Sequence, residues 1–313
     1  MSFVPRVLSL VGPTASGKTP VSIQLAQEMN GEIISADSRQ IFRYLDIGTA
    51  KPGSAELKAI PHHFISILEP DRDYSAGEYG KDARQRIVEV LGRRKNPIIV
   101  GGSGLYVKGV VDGLFEGPGK DPEVRAQLED RLSKHGAENL LETLQKVDPV
   151  SAQNMDATNH RRIIRALEIY YITGLPISKL HAENKVTVPY EAIQFAIRWD
   201  RQSLYQKIND RVDEMIKRGL VEEVGDLRRR GYDTRYNALN TVGYKEVFQH
   251  LDGKLSSTNM VELIKQNTRR FAKRQLTWFR ADKRIRWIQT EDETSVEKIV
   301  ERIRKEFDQK SRN

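Results

Sequence analysis

One eight-residue stretch near the N-terminus limits what this chain can fold into more than any other feature. Gly12-Pro13-Thr14-Ala15-Ser16-Gly17-Lys18-Thr19 satisfies G-x-x-x-x-G-K-[ST] at every fixed position. Glycines there let the backbone turn its N–H groups toward a phosphate, Lys18 adds a positive charge, and Thr19 offers a hydroxyl to Mg²⁺. Before it lies a short apolar run, Val7 to Val11, and after it Lys18 to Met29 carries a helical pattern. The helix N-terminus adds its dipole, and Pro20 sits in the first turn, where a missing N–H costs little. Strand, phosphate loop and helix in this order open the strand–helix alternation that argues for a parallel sheet with crossover helices. The motif implies a bound di- or triphosphate, and leaves hydrolysis, phosphoryl transfer and departure of diphosphate all open.

The same alternation continues. Glu32 to Ser35 reads as a second strand, Ser75 to Leu91 as a helix, and Pro97 to Val100 as a third buried strand ending in Gly101-Gly102. Ligands in such sheets sit beyond the carboxyl ends of the strands, where the phosphate loop, Asp37 and Ser103 all fall. The pattern changes after Phe115. Glu116-Gly117-Pro118-Gly119 breaks it, and Pro122 to about Leu180 is helical, with Leu128, Leu132, Leu140, Leu141 and Leu144 among its apolar positions. Ala192 to Ile197 returns as a strand. Helices follow over Gln202–Arg218, Val221–Arg230, Tyr244–Leu251 and Thr258 to about Arg280, then a strand at Ile285–Ile288 and a helix at Ser295–Phe307. The expectation is an α/β protein. It has a P-loop NTPase-like parallel sheet core from residues 1–117 and 186–313, and a mainly helical insertion at 118–185.

Bulk properties narrow the classes. A chain of 313 residues suits one large α/β domain, or one domain with an insertion. The absence of cysteine excludes disulfides, thiolate zinc sites and a cysteine nucleophile, and fits a reducing cytoplasm. No apolar run approaches the roughly 20 residues that cross a bilayer. Met1 to Ser9 shows no secretory signal, so no membrane partner is expected. A net charge of +8 favours a polyanionic partner.

Asp37, within Ser35-Ala36-Asp37-Ser38-Arg39-Gln40, follows the second strand directly. An acid there can ligate Mg²⁺, act as a general base, or cap a turn, and capping is the commonest use of Asp-Ser. Further on, Asp46-Ile47-Gly48-Thr49-Ala50-Lys51-Pro52 supplies polar and basic loop residues.

Taken with the phosphate loop, these two segments closely resemble the bacterial tRNA dimethylallyltransferase (isopentenyl-tRNA transferase) family. Pro61-His62-His63, Gly101-Gly102-Ser103-Gly104-Leu105-Tyr106, Arg161-Arg162-Ile163-Ile164-Arg165-Ala166-Leu167-Glu168, Val242-Gly243-Tyr244 and the run from Thr268 to Arg280 agree with its signatures in the same order. The resemblance runs from about Arg6 to beyond Arg280.

The resemblance implies transfer of a dimethylallyl group from its diphosphate to N6 of the adenosine just 3′ of the anticodon, in tRNAs reading codons that begin with U. Gly12, Pro13, Thr14, Ala15, Ser16, Gly17, Lys18 and Thr19 would hold the diphosphate together with Arg211, which matches a family arginine, and Thr19 would hold Mg²⁺. Asp37 would bind the adenine amine and take its proton, with Thr14 and Ser103 near the reacting groups; many members carry Thr at the position of Ser103. Ser38, Arg39, Gln40, Arg161, Arg162, Ile163, Ile164, Arg165, Arg269 and Lys273 would join Asp37 and Ser103 against the tRNA anticodon stem-loop. The family norm is a monomer. The chemistry is physically economical, because an allylic diphosphate ionises to a delocalised cation. The enzyme mainly stabilises the leaving group and positions the amine, on a base that has left the loop stack.

Two basic regions suit that partner. Arg161, Arg162 and Arg165 cluster on one predicted helix, although charge runs usually mark only a solvated face. The helix from Thr258 carries Lys265, Arg269, Arg270, Lys273, Arg274 and Arg280 over a broad face, while Val261, Ile264, Thr268, Phe271 and Trp278 fall at core-like spacing on another. Phe42, Tyr44, Tyr106 and Trp199 are candidates to stack on a base or line a prenyl pocket. Competing readings are a P-loop small-molecule kinase, a relative that prenylates free adenine nucleotides, and a non-enzymatic RNA-binding module.

Overall fold

The computed structural model describes residues 4–115, 117–184 and 186–309; Glu116 of the breaker cluster and the first residues of the N-terminal reading lie outside them. The chain forms two compact units, one from residues 1–111 and 188–313 and one from residues 112–187.

The first half of the larger unit runs β1 (Arg6–Val11), α1 (Lys18–Glu28), β2 (Gly31–Ser35), α2 (Ser54–Ala59), β3 (His62–His63), α3 (Ala76–Gly92), β4 (Asn96–Gly101) and α4 (Gly104–Val111). The smaller unit holds α5 (Pro122–Val147), α6 (Pro149–Ala152), a 3₁₀ turn at Ala157–Asn159, α7 (His160–Thr173) and α8 (Ile177–Glu183). The larger unit resumes with β5 (Glu191–Arg198), α9 (Arg201–Lys217), α10 (Leu220–Arg229), α11 (Tyr244–Leu251), α12 (Ser257–Ala281), β6 (Arg286–Gln289) and α13 (Val296–Gln309).

Six strands pair in the order β3-β2-β4-β1-β5-β6, every pair parallel. The central strands β1 and β4 read as largely apolar runs because helices cover both faces. Alternate residues divide between two cores, as the two-residue period requires. Val7, Ile34, Ile99 and Ala196 enter one, while Leu8, Ile33, Ile98 and Phe195 enter the other. The Val, Leu, Ile and Phe side chains among them each contribute on the order of 1.5–3 kcal/mol when fully buried. Helix starts follow local chemistry: Ser75 and Glu78 form a reciprocal capping box on α3, and the Asp200 carboxylate accepts the Gln202 and Ser203 N–H groups at the start of α9.

Two features were not expected from the sequence pattern. The two-residue strand β3 is too short to show a period. It is fastened to the sheet by His63 Nε2, 2.7 Å from the Glu32 carboxylate, which also takes a bond from Arg93 Nη2 at 2.8 Å. Burial would raise the Glu32 pKa, but these partners outweigh it and hold the carboxyl below its usual range. Gly101 ends β4 so close to Ala36 that a Cβ would stand 2.1 Å from the Ala36 carbonyl oxygen, which only glycine permits.

The smaller unit packs α5 against α7 around Leu128, Leu140, Leu144, Ile163 and Leu167. Gly136, at φ 79° and ψ 171°, breaks α5 into two helical pieces. Buried Glu168 pairs with Arg125 and Arg165, both at 2.8 Å.

Candidate active site

The phosphate loop leaves β1 and turns into α1 through three left-handed or extended-positive residues, Gly12 (φ 140°), Ala15 (φ 61°) and Gly17 (φ 85°). Gly17 is the N-cap of α1. The Lys18 ammonium lies back over the loop and donates to the Gly12 and Pro13 carbonyls at 3.0 and 2.6 Å. Burial, with the Arg211 charge acting in the same direction, lowers the Lys18 pKa to about 7 against the opposing pull of Asp37. The Trp199 indole N–H donates to the Ser16 carbonyl at 3.1 Å. Thr14 donates its N–H to Gln275 Oε1 at 2.9 Å, and Gln275 Nε2 donates to the Gly102 carbonyl at 2.8 Å.

Asp37 stands in the turn after β2. Its Oδ1 accepts the Arg39 and Gln40 N–H groups at 2.8 and 3.3 Å, the capping use that Asp-Ser most often serves. Among the described residues no hydrogen bond reaches Oδ2, so one carboxylate oxygen shapes the turn and the other is left for a ligand. Ser103 Oγ accepts the Ser38 N–H at 2.9 Å and donates to Ser38 Oγ at 3.1 Å, which ties the β4–α4 turn to the Asp37 turn. Arg39 is anchored on the Asn237 carbonyl, and burial lowers its pKa against the opposing pull of Asp37. Gln40 Nε2 donates to the Thr49 and Ala50 carbonyls, both at 3.2 Å, and Arg211 Nη2 reaches Thr49 O at 3.4 Å. Burial likewise lowers the Arg211 pKa while Asp37 opposes.

These groups line one cavity of about 800 Å³, which brings Thr14 to Thr19, Asp37 to Gln40, Ser103 and Arg211 together. Gly12 and Pro13 complete the loop behind it. The cavity therefore pairs a cationic anion-binding end with a single free carboxylate oxygen, and Phe42 and Tyr106 add apolar wall.

Residues 40–282 match the family model described as IPP transferase. The chain belongs to the IPP transferase family. A tRNA dimethylallyltransferase of Pelotomaculum thermopropionicum is 46% identical over 301 residues, covering 95% of each chain. The full-length tRNA isopentenylpyrophosphate transferase of Bacillus halodurans superposes with a TM-score of 0.72 at 36% identity, covering 99% of each chain. A eukaryotic dimethylallyltransferase, solved acting on tRNA, superposes with a TM-score of 0.77 at 29% identity, over 92% of this chain and 74% of its own.

Within this IPP transferase fold, α12 differs from its expected reading. Phe271 and Trp278, expected as core, are 38% and 46% exposed and line the cavity with Thr268 and Arg274. Helical spacing marks a face, but does not say whether that face meets a core or a cavity wall. Lys265 is held by Asp213 at 2.8 Å and by Glu262, so it is an ion-pair residue and not a free charge on a basic face. Arg269 donates to Asn209 Oδ1 at 2.6 Å, and Lys273 is exposed.

The Arg161–Glu168 signature also divides. Arg161 and Arg162 are exposed, but Ile163 and Ile164 are buried in the smaller unit's core, so their side chains cannot be offered to a partner. Arg165 is engaged with Glu168 and with the Pro118 and Gly119 carbonyls. Of the other candidate stacking aromatics, Tyr44 lies under the Arg230 guanidinium, 4.5 Å from it, and Trp199 is spent on the phosphate loop. Neither lines the cavity. Gln275 was missed because a single Gln in a basic run carries no local signal of a partner 261 positions away.

Proposed function

We propose that this enzyme transfers a dimethylallyl group from dimethylallyl diphosphate to N6 of the adenosine 3′ of the anticodon in tRNAs reading U-starting codons. The observation that carries the reading is the meeting, in one cavity, of a cationic phosphate loop with Arg211 and the unpaired Oδ2 of Asp37. The allylic C1–O bond breaks and its electron pair leaves with the diphosphate. Loop N–H groups, Lys18 and Arg211 bind that charge, where donors preorganised in a partly dry site act most strongly. The adenine N6 attacks C1, and the proton it loses as the C–N bond forms passes to Asp37 Oδ2. Thr14 and Ser103 support the two turns that hold these groups.

Mg²⁺ suits the site as a shared ion. It keeps several waters and usually takes one or two protein oxygens plus phosphate oxygens. The Thr19 hydroxyl on the cavity wall fits that need, and among the described residues there is no cluster of His, Asp or Glu able to hold a metal by itself. When bound, the ion would neutralise part of the diphosphate charge.

Arg161, Arg162, Arg269 and Lys273 would contact the anticodon stem-loop phosphates, with Ser38, Arg39 and Gln40 beside the flipped base. No helix among the described residues is long and apolar enough to cross a membrane.

The test is incubation with Mg²⁺ and labelled dimethylallyl diphosphate or labelled ATP, offering unmodified tRNA and free AMP as acceptors. Prenyl label is expected in tRNA and not in AMP. Label in AMP would make the enzyme a nucleotide prenyltransferase, and ATP turnover without prenyl transfer would make it a kinase. Asp37→Ala should abolish transfer while tRNA binding persists; unchanged turnover would remove Asp37 from the mechanism.

A further inference from the structure

Glu223 is a carboxylate that no Lys, Arg or His side chain pairs with among the described residues. It lies in the first turn of α10, and four hydrogen bonds converge on it. Oε2 accepts the Asp46 and Ile47 N–H groups at 3.0 and 2.7 Å, and Oε1 accepts the Gly48 N–H at 3.1 Å and the Tyr244 hydroxyl at 2.6 Å. Three successive amides thus grip one anion, which uses the full acceptor capacity of a carboxylate. Tyr244 is fully buried, and its ring presses on Gly48 so closely that a Cβ there would stand 2.5 Å from it.

The next residue is where the cavity depends on this clamp. The Thr49 carbonyl accepts from both Gln40 Nε2 and Arg211 Nη2. Arg211 has that one hydrogen bond among the described residues, and at 3.4 Å it is long. Its guanidinium otherwise shares the cavity with Lys18, which repels it, and with Asp37, which attracts it. A shift of the Thr49 carbonyl would therefore leave Arg211 free to turn toward Asp37 and away from the phosphate loop.

We propose that Glu223, braced by Tyr244, is a positioning residue. By holding the Asp46–Gly48 amides it sets the Thr49 carbonyl that aims Arg211 at the donor diphosphate. The inference rests on the reading of Arg211 as a diphosphate ligand, and concerns a residue that never touches substrate.

The full-length enzyme would be titrated with inorganic diphosphate and Mg²⁺ as wild type, Glu223→Gln, Arg211→Gln and the double variant, with tRNA binding measured in parallel. Glu223→Gln keeps the volume but turns an NH₂ group against amide donors. It should weaken diphosphate binding about tenfold, the scale of a lost charged hydrogen bond, raise KM for the prenyl donor, and leave tRNA affinity within about twofold. In the Arg211→Gln background it should add little, because residues acting through one contact are not additive. A loss of the same size in both backgrounds, or wild-type diphosphate affinity in Glu223→Gln, would overturn the proposal. Tyr244→Phe keeps the packing on Gly48 and loses only one of the four bonds, so it tests the clamp even if Glu223→Gln folds poorly. A weakening of about threefold is expected, and none counts against the clamp. Wild-type diphosphate binding by Arg211→Gln would show that the reading of Arg211 itself is wrong, and the proposal would fall with it.

Discussion

Gln275 Oε1 accepts the Thr14 N–H at 2.9 Å, joining α12 to the phosphate loop across 261 positions of sequence. The same amide donates to the Gly102 carbonyl at 2.8 Å, so one side chain spans the loops after β1 and β4. Replacing it with Met keeps the length and leaves two backbone groups in a buried place without partners. Each such group costs about 1–3 kcal/mol. With two groups affected, Gln275→Met should lower stability in urea by about 2–6 kcal/mol and raise KM for the prenyl donor more than it lowers kcat. A stable variant with unchanged KM would show that water replaces the amide without loss.

Lys18 makes donor binding depend on pH in a stated direction. In the ligand-free loop its pKa is about 7, lowered first by burial and then by Arg211. A bound diphosphate raises it again. Above pH about 7, binding must take up a proton, so affinity falls as pH rises; below about 7 the ammonium is already present and the uptake disappears. Calorimetry of inorganic diphosphate binding in buffers of different ionisation enthalpy reads the uptake directly. Lys18→Met should lose the part of it that belongs to this side chain, and an unchanged uptake would assign the proton to the ligand alone.

The charges on α12 should not be equivalent. Lys273 is exposed, whereas Lys265 is held by Asp213 and Glu262. Lys273→Ala should weaken tRNA binding and reduce the slope of log affinity against log salt by about 1. Lys265→Ala should leave the slope unchanged and act on stability instead. Equal effects on the slope would mean that the ion pair opens when tRNA binds.

Glu168 is the buried centre of an Arg125–Glu168–Arg165 cluster in the smaller unit. Arg125 and Arg165 stay about a third exposed, so the loss on removing Glu168 is on the scale of a charged hydrogen bond, about 1.5–3 kcal/mol, and Glu168→Leu should lower the melting temperature of the protein clearly. Burial pushes the Glu168 pKa up, but the hydrogen bonds and charges of the two arginines hold it below its usual value of 4.5. A depressed folded pKa means that this stabilisation is present above the unfolded value and lost as the pH falls through the folded one. Thermal unfolding between neutral pH and about pH 3 should therefore show an acid loss in the wild type that is smaller in Glu168→Leu.

Much of the frame is local and legible in the sequence. β1, α1 and the loop between them follow from an apolar run, glycines able to take positive φ, and a helical pattern, all within neighbouring residues. α11 starts and ends where its pattern does, and α3 (Ala76–Gly92) lies within one residue of the span Ser75 to Leu91 expected from its periodicity. β3 escaped because two residues have no period.

The candidate site was only partly legible, because its partners are distant in sequence. Positions at strand ends pointed to Asp37 and Ser103, but not to the sharing of Asp37 between a turn and a free oxygen. Local spacing alone determined the parallel sheet, the phosphate loop, and which residues share a helix face. Tertiary structure decided what each face meets. Phe271 and Trp278 line a cavity rather than a core, Arg165 is spent on Glu168, and Glu223 and Gln275 hold backbone from far along the chain. The physical reason is that periodicity and turn chemistry act between neighbours, whereas a hydrogen bond between distant segments exists only after the sheet has brought them together.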